Sequence, residues 1–177
     1  AGESIINNAG SYCSISGKNN SSNSGYYCSI SGEFANNNNL SYARVHGGNE
    51  NARIIDLVAQ ITTTDANPTE LLLGGTGGTQ IIIPDQSAWM YDIQAVAKTA
   101  TGANAKMWHR TGALVRDGST TTYSNVNSIA TDQEIGTTNA SFAILSNVAS
   151  NALQMTVTAS SGAVRASAMV QLTQVDY

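Results

Sequence analysis

Two histidines, His46 and His109, stand 63 positions apart (109 − 46) in a chain of 177 residues. A Ser–His–Asp triad needs its serine presented on a sharp elbow, and no Gly-x-Ser-x-Gly segment occurs here. Glycoside hydrolysis needs two carboxylates at a set separation. Asp85, Asp92, Asp117, Asp132 and Glu134 show no diagnostic spacing, so they read as turn or surface acids. Gly74-Gly75-Thr76-Gly77-Gly78 is Gly-rich but carries no Lys and leads into an apolar run, so it lacks the helix N-terminus that cradles phosphate. Cys13 and Cys28 are flanked by neither His nor further Cys at metal-ligand spacing. The remaining candidate is for binding: Met107-Trp108-His109-Arg110, with Tyr123 nearby in sequence. An aromatic ring can stack on the apolar face of a sugar while His109 and Arg110 hold its hydroxyls. In an alternating strand, however, Trp108 faces away from His109, and both Trp108 and Trp89 also fit core positions. The ligand reading takes Trp108, His109, Arg110 and Tyr123, and no catalytic residue, metal site or cofactor accompanies it.

Composition narrows the class. The chain has 8 Lys+Arg against 12 Asp+Glu, a net charge of −4, and only 11% charged residues, well below the roughly 25% usual in globular proteins. Its basic residues are scattered rather than gathered in a stripe, which argues against a nucleic-acid partner. No apolar run approaches the roughly 20 residues of a membrane helix, so insertion into a membrane is not expected. A hydrophobic share of 41% is enough to build a core. Two Pro, 16 Gly and many Asn, Ser and Thr, with no amphipathic helical pattern, predict an all-β chain. It begins Ala1-Gly2-Glu3, without Met or signal-peptide features, and so reads as a fragment or a processed product.

An internal repeat organises the first part. Residues 12–17 and 27–32 both read Tyr-Cys-Ser-Ile-Ser-Gly, an offset of 15 (27 − 12), and a diverged third copy runs from Tyr42 to Gly47. Each copy is a short strand ending in Gly, and Asn/Ser tracts separate the copies. Asn and Gly tolerate positive φ, which lets the chain turn once per copy. Stacked coils would align Tyr12, Tyr27 and Tyr42 in one column, and Ile15, Ile30 and Val45 in another. One or two apolar side chains per coil cannot offset the entropy of ordering it. Three chains side by side would, which predicts a homotrimer. Cys13 and Cys28 fall at equivalent phase; in-register parallel side chains point the same way, so they read as small buried hydrophobes rather than a bridge. These Ser-x-Ser-Gly coils over about residues 4–48 resemble the head repeats of YadA-like trimeric adhesins, which also occur in phage tail fibres. That family favours Ser-Val-Ala-Ile-Gly before the turn, where this chain has Cys-Ser-Ile-Ser-Gly.

From about Asn51 the texture changes, giving a predicted division into a repeat segment over 1–50 and a tip domain over 51–177. Arg53 to Ile61 is apolar and β-branched, and Leu71-Leu72-Leu73 and Gln80-Ile81-Ile82-Ile83 flank the Gly-rich run as a predicted hairpin. Further strands are expected at about 88–99, 104–116, 120–129, 141–148, 151–159 and 163–175. Leu153, Met155 and Val157 share one face, as do Val164, Ala166, Ala168, Val170 and Leu172, while Met169 and Val175 fall on the opposite face of that strand. Regular short strands predict an antiparallel, jelly-roll-like β-sandwich. Apolar residues on both faces predict a second buried surface, again between chains of an intertwined trimer.

Ile83-Pro84-Asp85, Trp89-Met90-Tyr91-Asp92-Ile93, the Ala-rich stretch into Trp108 and the closing Val164-Arg165-Ala166 strand resemble C-terminal domains of tailed-phage fibre or tailspike proteins over roughly residues 62–177. The resemblance implies a virion component outside the cell. Such a component is joined to the rest of the fibre at its N-terminal side and contacts a host-surface carbohydrate or protein without chemistry. Two alternatives stand beside it: a bacterial trimeric adhesin head, and an enzyme, either a polysaccharide depolymerase or a self-cleaving trimerisation chaperone.

Overall fold

The computed structural model of the chain describes residues 6–8, 14–16, 21–23, 28–31, 43–49, 52–64, 66–100, 103–118, 120–123, 127–138, 140–147, 150–160 and 162–176. Among these residues the protein is all-β, with no helix, so none that could cross a membrane. The early strands are short: β1 (Ile6–Asn8), β2 (Ser14–Ile15), β3 (Ser21–Asn23) and β4 (Ser29–Ser31), before β5 (Ala43–Asn49) and the long β6 (Ala52–Thr63). Three short strands follow, β7 (Thr69–Glu70), β8 (Leu72–Leu73) and β9 (Ile81–Ile82), then the long pair β10 (Ser87–Thr99) and β11 (Ala105–Asp117). Next come β12 (Thr120–Tyr123), β13 (Asn127–Ser128) and β14 (Gln133–Ile135), the pair β15 (Ala140–Asn147) and β16 (Ala152–Ala159), and the closing β17 (Val164–Asp176).

A large mixed sheet runs in the order β12-β11-β10-β17-β6-β5-β4-β2, with β13 and β14 also on β11 and β8 on β6. A smaller antiparallel sheet runs β15-β16-β7, with β9 also on β16. β1 and β3 form a separate parallel pair. The N-terminal strands pair in parallel with partners 15 positions apart: Ile6 with Ser21, Ser14 with Ser29, Ile15 with Ile30, and Ile30 with Val45. Ile30 and Val45 are buried, as is Cys28. The predicted tyrosine column (Tyr12, Tyr27, Tyr42) and Cys13 lie outside the described residues. The division placed at residues 50 and 51 falls at the connection from β5 to β6, which pair antiparallel within the large sheet.

Alternation with a period of two builds the core. Ile55, Leu57, Ala59 and Ile61 of β6, Trp89, Tyr91, Ile93, Ala95 and Ala97 of β10, and Val164 to Leu172 at alternate positions of β17 point to one side. Leu153, Met155 and Val157 of the smaller sheet join them in a single hydrophobic cluster. The Gly-rich turn closes as expected, with Leu73 and Thr79 exchanging backbone hydrogen bonds at 2.9 and 3.1 Å. Gly74, Gly75 and Gly77 take φ values of 84°, 83° and 78°, a region that side chains disfavour. The two arms do not continue as a hairpin, however. β8 joins the large sheet through β6, whereas β9 joins the small sheet through β16. The turn therefore passes the chain from one layer to the other, with Leu71, Leu73, Ile81 and Ile83 buried between them. Within the strand expected at 120–129, the described residues include β12 and β13, both paired with β11.

One glycine is set by a neighbouring side chain. Gly112 stands opposite Tyr91 in the β10–β11 ladder, and a β-carbon at Gly112 would overlap the Tyr91 hydroxyl and ring. The buried Tyr91 hydroxyl has no hydrogen-bond partner, and burial pushes its pKa up. Gly112→Ala is expected to destabilise the fold by about 1–3 kcal/mol through overpacking. Tyr91→Phe, which removes an unsatisfied buried hydroxyl, should be neutral or stabilising and should soften the Gly112→Ala loss. Denaturant midpoints of the two single variants and the double variant measure this; an unchanged midpoint for Gly112→Ala would overturn the packing argument.

Candidate functional site

The predicted binding residues sit on or beside β11, and the pleat separates them. Trp108 turns inward and is 4% exposed, its ring stacked on Phe142 at a centroid distance of 5.6 Å, with the Lys106 ammonium 5.8 Å from its centroid. Arg110 donates from Nη2 to Asp132 Oδ1 at 2.6 Å and from Nη1 to the His109 carbonyl at 3.1 Å. His109 lies on the opposite, outer face, where its Nε2 is 2.9 Å from each carboxylate oxygen of Asp92. An ionised carboxylate only accepts, so Nε2 carries the proton and donates. Tyr123 is opposite Leu114 in the β11–β12 ladder, about 20 Å along the strand from Trp108. Trp108 and His109 both line one groove, although the Trp108 ring is mostly buried, while Arg110 is held in its ion pair with Asp132 and position 123 lies well away along the sheet.

What does form around His109 is a groove of about 460 Å³, whose lining includes Gln94, Val96, Met107, His109, Gln133 and Met169. The strands set this arrangement by register. Gln94 is the cross-strand partner of both His109 and Met169, and Val96 pairs with Met107, so these side chains share one outer face. The segment from β13 to β14 overhangs the groove as a strap along the free edge of β11. It is tied down by Ile129 N–H donating to the His109 carbonyl at 3.1 Å and by the Arg110–Asp132 ion pair. Glu134 closes the strap's far end, its Oε1 accepting from Thr138 N–H at 2.7 Å and from Thr138 Oγ1 at 2.8 Å. Those two hydrogen bonds hold its carboxyl below the ordinary carboxylate range.

Ser167, the nearest serine on the same face, lies two strands from His109, about 10 Å across the sheet, too far for a nucleophile–base contact. Asp56 and Asp92 flank Gln171 in one cross-strand row. Gln171 Nε2 donates to Asp56 at 3.0 Å and fills the space between the two acids. Among the described residues no three His, Cys, Asp or Glu side chains gather to hold a metal ion. The sequence search missed the Asp92–His109 pair. Its signal was the near-equal distance of the two residues from the turn that joins two long alternating strands.

No protein-family model and no curated protein matches the chain. Among solved structures it is similar to the tailspike protein gp49 from Acinetobacter baumannii bacteriophage Fri1, a capsular polysaccharide depolymerase, with a TM-score of 0.36 and 12% identity. The match covers 88% of this chain and 32% of that one, so the chain spans about a third of that protein's length.

The strap gives a pH prediction. Glu134 has a lowered pKa in the folded state, so its contribution is present above the unfolded carboxylate pKa and is lost as pH falls through the folded value. Amide exchange at Thr138 should accelerate as pH drops through and below the ordinary glutamate range, relative to core amides. Glu134→Gln should show fast exchange at neutral pH and no such acid step; an acid step that persists in this variant would assign it to another group.

Proposed function

We propose that the chain is the structural and receptor-binding part of a trimeric phage tail fibre or tailspike, and that it attaches to a glycan on the host surface without chemistry. The observation that carries the binding reading is the groove beside the strap: amides of Gln94 and Gln133 and the His109 imidazole next to the apolar side chains of Met107, Val96 and Met169. Planar donors and acceptors beside apolar side chains suit the hydroxyls and C–H faces of a sugar, and the volume is in the range of ligand sites. The fibre reading draws on the parallel N-terminal ladders with partners 15 positions apart, which we take as stacked coils repeated along a shaft. Three copies around one axis convert weak individual sites into firm attachment.

The test is retention of the chain on a panel of purified bacterial surface polysaccharides, with reducing ends assayed in the same wells. Binding to at least one polysaccharide is expected, with no reducing ends released. Gln94→Ala and His109→Ala should each weaken binding about fivefold or more, the equivalent of one lost hydrogen bond of about 1 kcal/mol. Absence of binding across the panel overturns the receptor reading, and release of reducing ends overturns the non-enzymatic one.

A further inference from the structure

The basic residues are scattered along the sequence, but folding sets two of them opposite each other. Lys98 of β10 and Arg165 of β17, 67 positions apart (165 − 98), are cross-strand partners near one end of the large sheet. Both are exposed on its outer face. Like charges directly opposite in a sheet destabilise it. Elsewhere this chain pairs opposite charges: Arg110 with Asp132, and Arg53 with Asp176. The carboxylates at outward positions of β10 and β6, Asp92 and Asp56, lie three rows away, about 20 Å along the strands. That is beyond the Debye length of about 8 Å at physiological ionic strength, so neither neutralises the pair.

The face is hollowed around these two cations. A groove of about 520 Å³ has Lys98, Arg165, Thr62, Thr99 and Ser167 in its lining, with no acid among the described lining residues. Lys98 Nζ donates to the Thr99 carbonyl at 3.2 Å, which keeps the ammonium at this end of the strand. Val96 and Ser167 line both this groove and the one beside His109, so the two are continuous. On the other side, Arg165 and Thr62 also line a hollow of about 220 Å³ against Gly75 and Thr76 of the Gly-rich turn. Gln94 and Lys98 are four positions apart on one face of β10, about 13 Å, which is more than a single sugar ring spans.

We infer that Lys98 and Arg165 form an anion subsite of the glycan groove, so that the receptor is an acidic polysaccharide. Its neutral sugars lie along Gln94 and His109, and its carboxylate or phosphodiester meets the ammonium and guanidinium. This deepens the receptor reading above and rests on it. The arginine fork takes two oxygens of such a group, and the lysine adds a point charge. Thr62 and Ser167 stand beside the cations with hydroxyls for the remaining oxygens. An anion seated between the two cations also removes the repulsion that the pair otherwise carries.

The test is retention of the full chain on neutral, uronate-containing and phosphodiester-linked bacterial polysaccharides at low and high salt. Retention is expected on acidic members only and should fall as salt is raised; the acidic class retained identifies the anion. Lys98→Gln and Arg165→Gln should each weaken retention about tenfold, and the double variant should lose the salt dependence. Arg44→Gln, which removes the same charge opposite Asp56, should bind like the parent. Melting points of the two single variants should equal or exceed the parent's, because each relieves a like-charge pair. A melting point lowered in both assigns the pair to the fold and overturns the subsite. If the double variant does not fold, the single variants are read by the same criterion. Neutral members retained as strongly as acidic ones, or acidic retention that the variants leave unchanged, also overturns the subsite and leaves the receptor reading standing. Absence of retention across the panel overturns both.

Discussion

A β-strand has two sides, and in the central strands β6, β10 and β17 both sides carry apolar residues. Burying one side needs a single covering layer, which the smaller sheet supplies through Leu153, Met155 and Val157. The other side keeps Ile54, Val58, Met90, Met169 and Val175 in solvent. The rest of the architecture answers to this constraint. The Gly-rich turn after Leu73 exists to carry the chain from one layer to the other, and the left-handed conformations at Gly74, Gly75 and Gly77 make that crossing tight. Because a one-residue slip would exchange the two faces, register must be pinned along the whole length of each long strand.

Polar groups help to pin it. In a chain with so few charges, the acids take partners that stand near them across the sheet: Asp92 with His109, Asp56 with Gln171, and Glu70 with Gln80 and Gln154. At the ends of the central strands the buried Arg53 pairs with Asp176, and Gln174 Nε2 donates to the same carboxylate at 2.5 Å. Burial draws the Arg53 pKa down, so this pair holds the end of β17 to the start of β6 only while the carboxylate is there to meet the guanidinium. Such pairs are specific to one register, since a slip of one residue sends each side chain to the opposite face.

The parts of the fold that were legible in the sequence are those governed by alternation. β10, β11, β15, β16 and β17 lie within a residue or two of their expected limits, because a period of two with bulky apolar residues has few other solutions. What alternation does not govern was not legible. Nothing near Leu73 or Ile81 says that the arms of a closed turn join different sheets, since that depends on which distant strand each one meets. At the site, Trp108 and His109 were adjacent in sequence and chemically apt, yet adjacency in a strand means opposite faces. The partners His109 meets, Asp92 and Gln94, are fixed by the hairpin register rather than by proximity along the chain.

The same period of two ties the groove to the rest of the sheet. The outward residues of β11 that line the groove belong to the face that leaves Met90 and Val175 uncovered, so the groove cannot be placed independently of that face. Met169 shows this directly, since it lines the groove and continues the apolar surface toward Val58.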